Sequence, residues 1–274
     1  MSAIMFQSSE FLRAAEKMPL LFEISHFHLL ETIDYVDKFI SMVKDSQSLL
    51  ESSCSLLWTI HRTQESMVSM FVSLCDALDS GNTRLLMALP KEMMQWTKEL
   101  LEKFNQLKEG WRAFDNELNA LWKSINKLKI RMTSDETTLM VDCMLELNPE
   151  IPTHLEQGAQ YMSQAASQPQ DILHFFQKVG CQLQDRNQEW RKILFLLNCE
   201  DPGIKQTIKQ AEENWLNLSS ACKTVTTEFE DRGIYEIYKV ILNQDPRRLS
   251  RQELQDWEGR ELARINLLNS EASQ

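Results

Sequence analysis

Between Leu89 and Met132 the apolar residues keep a regular spacing. From Phe104 they recur at Leu107, Trp111, Phe114, Leu118, Leu121, Ile125, Leu128 and Met132, in steps that alternate three and four. That alternation is a heptad seam, narrower and more regular than a general amphipathic face. Trp96 and Leu100 carry the line upstream through one four–four step. The stretch therefore predicts a single helix about 65 Å long, with a rise of ~1.5 Å per residue. A helix of that length has to lie against other helices, because its seam would otherwise face water.

Similar lines occur on both sides. A short helix is expected over Ser9–Lys17, and Pro19 is placed to open the next one, since proline fits a first helical turn. The seam after it runs Phe22, His26, Leu29, Ile33, Val36, Ile40 and Val43. A further helix, Ser46–Asp79, carries Leu50, Cys54, Leu57, His61, Gln64, Val68, Phe71, Cys75 and Leu78, and Ser80-Gly81-Asn82 supplies its stop. Three long helices with short connections predict an antiparallel three-helix coiled coil.

The second half repeats the theme less regularly. Thr133-Ser134-Asp135 can cap a helix over 135–147, which Pro149 and Pro152 interrupt before another at Thr153–Ser167. Pro169–Asn198 places Val179, Leu183, Trp190, Ile193 and Leu197 on one face, with Arg186 intruding. After Pro202-Gly203, Ile204–Asp231 keeps an unbroken seam through Ile208, Ala211, Trp215, Leu218, Cys222, Val225 and Phe229. Beyond Gly233 come one or two turns at Ile234–Leu242 and a helix from Ser250. There Ser250 and Glu253 form a capping box, with Leu249 and Leu254 as its hydrophobic staple. The expected organisation is a short N-terminal helix (1–18), two consecutive three-helix coiled-coil units (19–132 and 133–232) and a C-terminal helical appendage (233–274) with a frayed tail. The fold class is all-α, as elongated antiparallel bundles.

The two strongest seams each centre on a tryptophan, Trp111 and Trp215, roughly one hundred residues apart, which is the mark of a long-period repeat. In this the chain resembles the spectrin-repeat family, whose units are three-helix coiled coils with a tryptophan in the third helix. The resemblance implies a continuous helix between units at Lys127–Glu136. It departs from the family pattern where a first-helix tryptophan is usual, at Phe39 and Asp142. The structural seam residues that the spacing singles out are Trp111, Phe114, Leu118, Leu121, Trp190, Trp215 and Leu218.

Composition narrows the function. Only seven glycines and seven prolines are present, which limits tight turns and loops, and strand alternation with hairpin signals is absent. A net charge of −11 argues against a nucleic-acid backbone as partner. Six cysteines without a Cys-x-x-Cys pair point to reduced thiols in a cytoplasmic protein rather than a disulfide scaffold or zinc site. No signal peptide or membrane-length apolar run is apparent.

Candidate chemistry is sparse. His26 and His28 stand two apart and so point to different sides of a helix, which separates their rings. His61 and Gln64 suggest a polar layer that sets helix register. Lys123, Lys127, Lys129 and Arg131 complement a helix C-terminus. Arg247-Arg248-Leu249-Ser250 fits a basophilic kinase, and a phosphate on Ser250 is expected to firm up the last helix. Glycine-rich nucleotide loops, nucleophile elbows and paired metal motifs are missing, so no catalytic residue, metal or cofactor is assigned. The expected function is a non-enzymatic protein–protein interaction module, a scaffold, adaptor or cytoskeleton-associated component that docks through helix faces. A monomer is favoured, since Trp122 widens the apolar face beyond a two-stranded seam. The alternative is a membrane-surface-associating bundle, which would need basic residues banded along one side.

Overall fold

The computed structural model of the chain describes residues 2–29, 33–133, 151–243 and 249–271. Every element among them is an α-helix: α1 Ser2–Leu29, α2 Ile33–Arg62, α3 Gln64–Ser80, α4 Thr83–Thr133, α5 Ile151–Ala165, α6 Gln168–Asn198, α7 Ile204–Asp231, α8 Ile234–Asn243 and α9 Arg251–Glu271. The described chain is thus all-α. The helix expected over 135–147, with Cys143, lies outside the described residues.

The helices form two compact units, each built from three separate stretches. Unit one is Met1–Ser9, Glu51–Glu109 and His174–Asp231; unit two is Glu10–Leu50, Gly110–Leu173 and Arg232–Gln274. The sequence segments 19–132 and 133–232 each contribute to both units. In the stretch expected as a C-terminal appendage, Ile234, Tyr238, Trp257, Ile265 and Leu268 are buried.

In unit one, the buried line of α4 is Met93, Thr97, Leu100, Phe104 and Leu107, and it enters unit two as Trp111, Phe114, Leu118, Leu121 and Ile125. The four–three alternation continues upstream through Thr97, where the sequence suggested Trp96. Threonine takes the core position without leaving a bare hydroxyl, because its Oγ1 donates to the Met93 carbonyl at 2.8 Å. Trp96 is half-buried beside it, its ring 6.5 Å from that of Trp215. In α7 all eight seam residues from Ile204 to Phe229 are buried, and α3 lies against this helix.

The expected Ser46–Asp79 helix is interrupted at Thr63, between α2 and α3. The Thr63 hydroxyl donates to the Ile60 carbonyl at 2.8 Å, a local bond that bends helices. Past the break the buried line is Met67, Phe71, Leu74 and Ala77, one position ahead of the expected Val68, Cys75 and Leu78. The helix then stops at Gly81, whose φ of 67° lets the Asn82 N–H reach the Ala77 carbonyl at 2.9 Å.

Unit two is organised around α1. This helix passes straight through Pro19, where a break was expected. From Phe11 to Leu29 almost every side chain is buried, polar ones included. An interior proline costs about 3 kcal/mol. Phe11, Leu12, Met18, Leu20, Leu21, Phe22 and Ile24, all at most 1% exposed, bury apolar surface on every side and offset that cost. The following helix is also rephased, since Phe39, Met42 and Val43 are buried whereas Ile40 is not.

Two helical glycines make opposite predictions. A Cβ on Gly158 would lie 2.9 Å from Leu29 Cγ and 3.2 Å from His28 Cβ, whereas one on Gly180 would meet Phe104 at 3.4 Å, an ordinary contact. Gly180→Ala should therefore stabilise by about 0.5–1 kcal/mol through helix propensity. Gly158→Ala should destabilise by about 1–3 kcal/mol through overpacking of α5 on α1. Urea denaturation of both variants checks the pair, and equal shifts would contradict the close approach at Gly158.

Candidate functional site

A recess in unit one lies between α4 and α6. Two contacts fix how these helices pair: Asn187 Nδ2 donates to the Met94 carbonyl at 2.9 Å, and the rings of Phe104 and Phe176 lie 5.2 Å apart. Numbers rise along α4 as they fall along α6, so the pair is antiparallel. The groove between them holds about 520 Å³. Leu101, Phe104 and Phe176 give it an apolar floor, and Gly180, which lacks a side chain, lies over the Phe104 ring. Lys98, Lys108 and Arg191 line it as well, together with Asn105, Gln184 and Gln188, and no acid does. Lys98 Nζ is 3.8 Å from Glu102 Oε1, but both groups are largely exposed, so the pair is weak. In a chain of net charge −11, this is a local inversion of sign.

A polar layer sits elsewhere in the same unit. Ser219 of α7 donates to Gln64 Oε1 at 2.7 Å, and its oxygen lies 3.3 Å from His61 Nδ1. With the serine hydrogen given to Gln64, His61 must carry its proton on Nδ1 to complete the chain. The sequence singled out His61 and Gln64 but not Ser219, which falls beside Leu218, off the seam line. Arg186, the other intruder, is buried, with Nε 3.1 Å from Glu189 Oε2 but no hydrogen bond at Nε. Glu189 also accepts from Asn214 Nδ2 at 2.7 Å. Its carboxyl is pushed up by burial, and Arg186 opposes the shift.

In unit two the titratable groups gather where α9 meets α1. Glu16, which is buried, accepts from Arg264 Nε at 2.9 Å and from Arg232 Nη1 at 3.1 Å. Glu23, 3% exposed, faces Glu261. Its carboxyl is lifted to about 9 by burial first, then by the Glu261 charge, with Arg260 opposing. The Glu261 carboxyl is also raised by burial, against the pull of Arg264, Arg260 and a hydrogen bond from Trp257. His28 Nε2 meets Glu258 at 3.0 Å and Nδ1 meets His154 at 3.1 Å, while its ring stacks on Tyr161. Burial lowers the His28 imidazole, and Glu258 opposes the shift. His26 turns elsewhere, its ring 5.5 Å from Phe39. Among the described residues no group of three His, Cys, Asp or Glu is placed to hold a metal ion.

The seam tryptophans Trp111, Trp190 and Trp215 are at most 1% exposed, and Phe114, Leu118, Leu121 and Leu218 are buried with them. They build cores and do not meet at a site. Of the basic run, Lys129 is bonded to Glu156 Oε1 at 2.8 Å; the side chain of Arg131 lies outside the described residues.

Ser250 stands at the N-cap of α9. Its N–H and its hydroxyl both donate to Glu253 Oε2, at 2.8 Å and 2.7 Å, and its oxygen accepts from the Glu253 N–H at 3.3 Å. These bonds hold the Glu253 carboxyl below its usual range. A phosphate on Ser250 would remove the hydroxyl donor and set a second anion against that carboxylate. Ser250→Ala is expected to speed amide hydrogen exchange in the first turn of α9, and Ser250→Glu, carrying only the repulsion, to speed it further. Slower exchange in Ser250→Glu would instead favour the firming effect expected from sequence. Arg247 and Arg248 lie outside the described residues.

No family model, curated protein or solved structure matches this chain. Among the described residues no helix is long and apolar enough to cross a membrane.

Proposed function

We propose that this chain is a non-enzymatic protein–protein interaction module, a cytoplasmic scaffold, adaptor or cytoskeleton-associated component that docks partners along its helix faces. The observation that carries this reading is the groove of unit one. It combines an apolar floor with three cations on two antiparallel helices, and no carboxylate lines it. The unbroken four–three burial from Met93 to Ile125 supports coiled-coil packing of the kind the spectrin-repeat resemblance implies. The perturbed carboxyls and imidazole lie in the contact between α1 and α9 of unit two and none of them lines the groove, which suits a structural role for them better than a catalytic one.

Proximity labelling from the intact protein in cells tests the reading. A reproducible set of enriched proteins is expected, and the triple charge reversal Lys98→Glu, Lys108→Glu, Arg191→Glu should deplete members of it. An enrichment no different from an inert helical protein of the same charge would overturn it.

A further inference from the structure

We infer that the groove between α4 and α6 receives an acidic amphipathic helix of a partner protein. The inference rests on the interaction-module reading and gives that partner its chemistry. The Asn187–Met94 bond sets the level from which the cations can be placed along the helix axes. Arg191 is one helical turn past Asn187 on α6, and Lys98 one turn past Met94 on α4. Because the helices are antiparallel, the two cations fall about 12 Å apart, with Lys108 about 15 Å beyond Lys98. A helix laid in the furrow would meet them with carboxylates spaced by two and then three turns, which fits a segment of about 18 residues.

The floor decides the rest. Leu101, Phe104 and Phe176 lie between the levels of Lys98 and Lys108, so the partner needs its apolar residues between its second and third acids. A furrow between two antiparallel helices has the width of a third, and ridges packing into grooves would hold it there. Asn105, Gln184 and Gln188 add donors and acceptors along the rim. A lipid surface fits less well, because the cations and Leu101 line a furrow between two helices, into which a flat bilayer does not reach.

The test uses fluorescence anisotropy with the full chain and a fluorescein-labelled, helix-forming peptide of about 18 residues. It carries glutamate at its first, eighth and eighteenth positions and leucine at its eleventh, twelfth and fifteenth. Saturable binding that weakens with salt is expected. Lys108→Glu combined with Arg191→Glu should weaken it at least tenfold, and a peptide with lysine at the three acidic positions should recover binding to that variant. Gly180→Met, which fills the groove without changing charge, should also weaken it at least tenfold. Circular dichroism of the variants should match the wild type, since all three positions face the groove.

Binding undiminished in the variants would overturn the inference, and so would no binding to the wild type. Displacement of the peptide by phosphatidylserine vesicles, dependent on the same cations, would assign the groove to a membrane and overturn it as well. If the peptide fails while proximity labelling still enriches partners that survive the triple reversal, docking uses another face and the interaction-module reading stands. If nothing is enriched, both fall.

Discussion

Trp215→Ala should lower unfolding stability by about 3–5 kcal/mol, and Trp111→Ala by a similar amount, as read from urea denaturation. Each indole is at most 1% exposed at the middle of its seam, so truncation leaves a cavity that neighbours on rigid helices fill only in part. The sites differ in one respect that phenylalanine substitutions expose. Trp215 Nε1 is buried without a hydrogen-bond partner, as is Trp190 Nε1. An orphaned donor of that kind costs about 1–3 kcal/mol. Trp215→Phe loses part of a ring but also removes the orphan, so it should cost well under half of Trp215→Ala. If the two substitutions at 215 cost the same, the indole nitrogen has a partner that the packing does not reveal.

Seams were legible where a helix keeps a single phase. The line from Ile208 to Phe229 in α7 and the line from Phe104 to Ile125 in α4 could be read directly, because a four–three repeat has a single face to bury. Reading failed at phase changes. At Thr63 the helix is interrupted where a hydroxyl bonds to its own helix, and nothing in the apolar spacing marks it. At Thr97 a polar residue occupies a core position because its side chain satisfies itself, while the adjacent Trp96, more apolar, drew the line away.

Helix α1 escaped for a different reason. Periodicity detects one buried face, and α1 is buried nearly all round, so its apolar run has no period to find. Pro19 made the stretch look like a boundary, and His26 interrupted the seam expected after it. Glu16 and His28 are instead points that α9, α5 and the Arg232 preceding α8 engage, and pairings across more than a hundred residues leave no local signal. The groove was invisible for the same reason. Lys98 and Lys108 on α4 and Arg191 on α6 form one surface only once the antiparallel register of the two helices is known.

Glu23→Gln should flatten the dependence of stability on pH and raise stability at pH 8 by about 2 kcal/mol or more. The native Glu23 carboxyl sits at about 9, well above the ordinary carboxylate range, because burial and the Glu261 charge disfavour its ionised form. Between that range and about 9 the native chain therefore holds a proton that the unfolded chain has lost. The stabilising contribution is complete below the ordinary range and drains away as pH rises through the window. Glutamine keeps the shape without the proton to lose, so the alkaline decline should disappear. His28 acts in the opposite sense: burial lowers its imidazole, so its contribution is present above the usual histidine range and is lost on acidification through it. Contact between α9 and α1 should accordingly loosen as pH rises above the usual histidine range, where His28 no longer offsets the decline from Glu23. Hydrogen exchange of the α9 amides localises the effect, with protection falling at pH 9 in the wild type and holding in Glu23→Gln. Parallel pH profiles for the two proteins would show that Glu23 is ionised in the native state, and that the neighbouring Arg260 outweighs its burial.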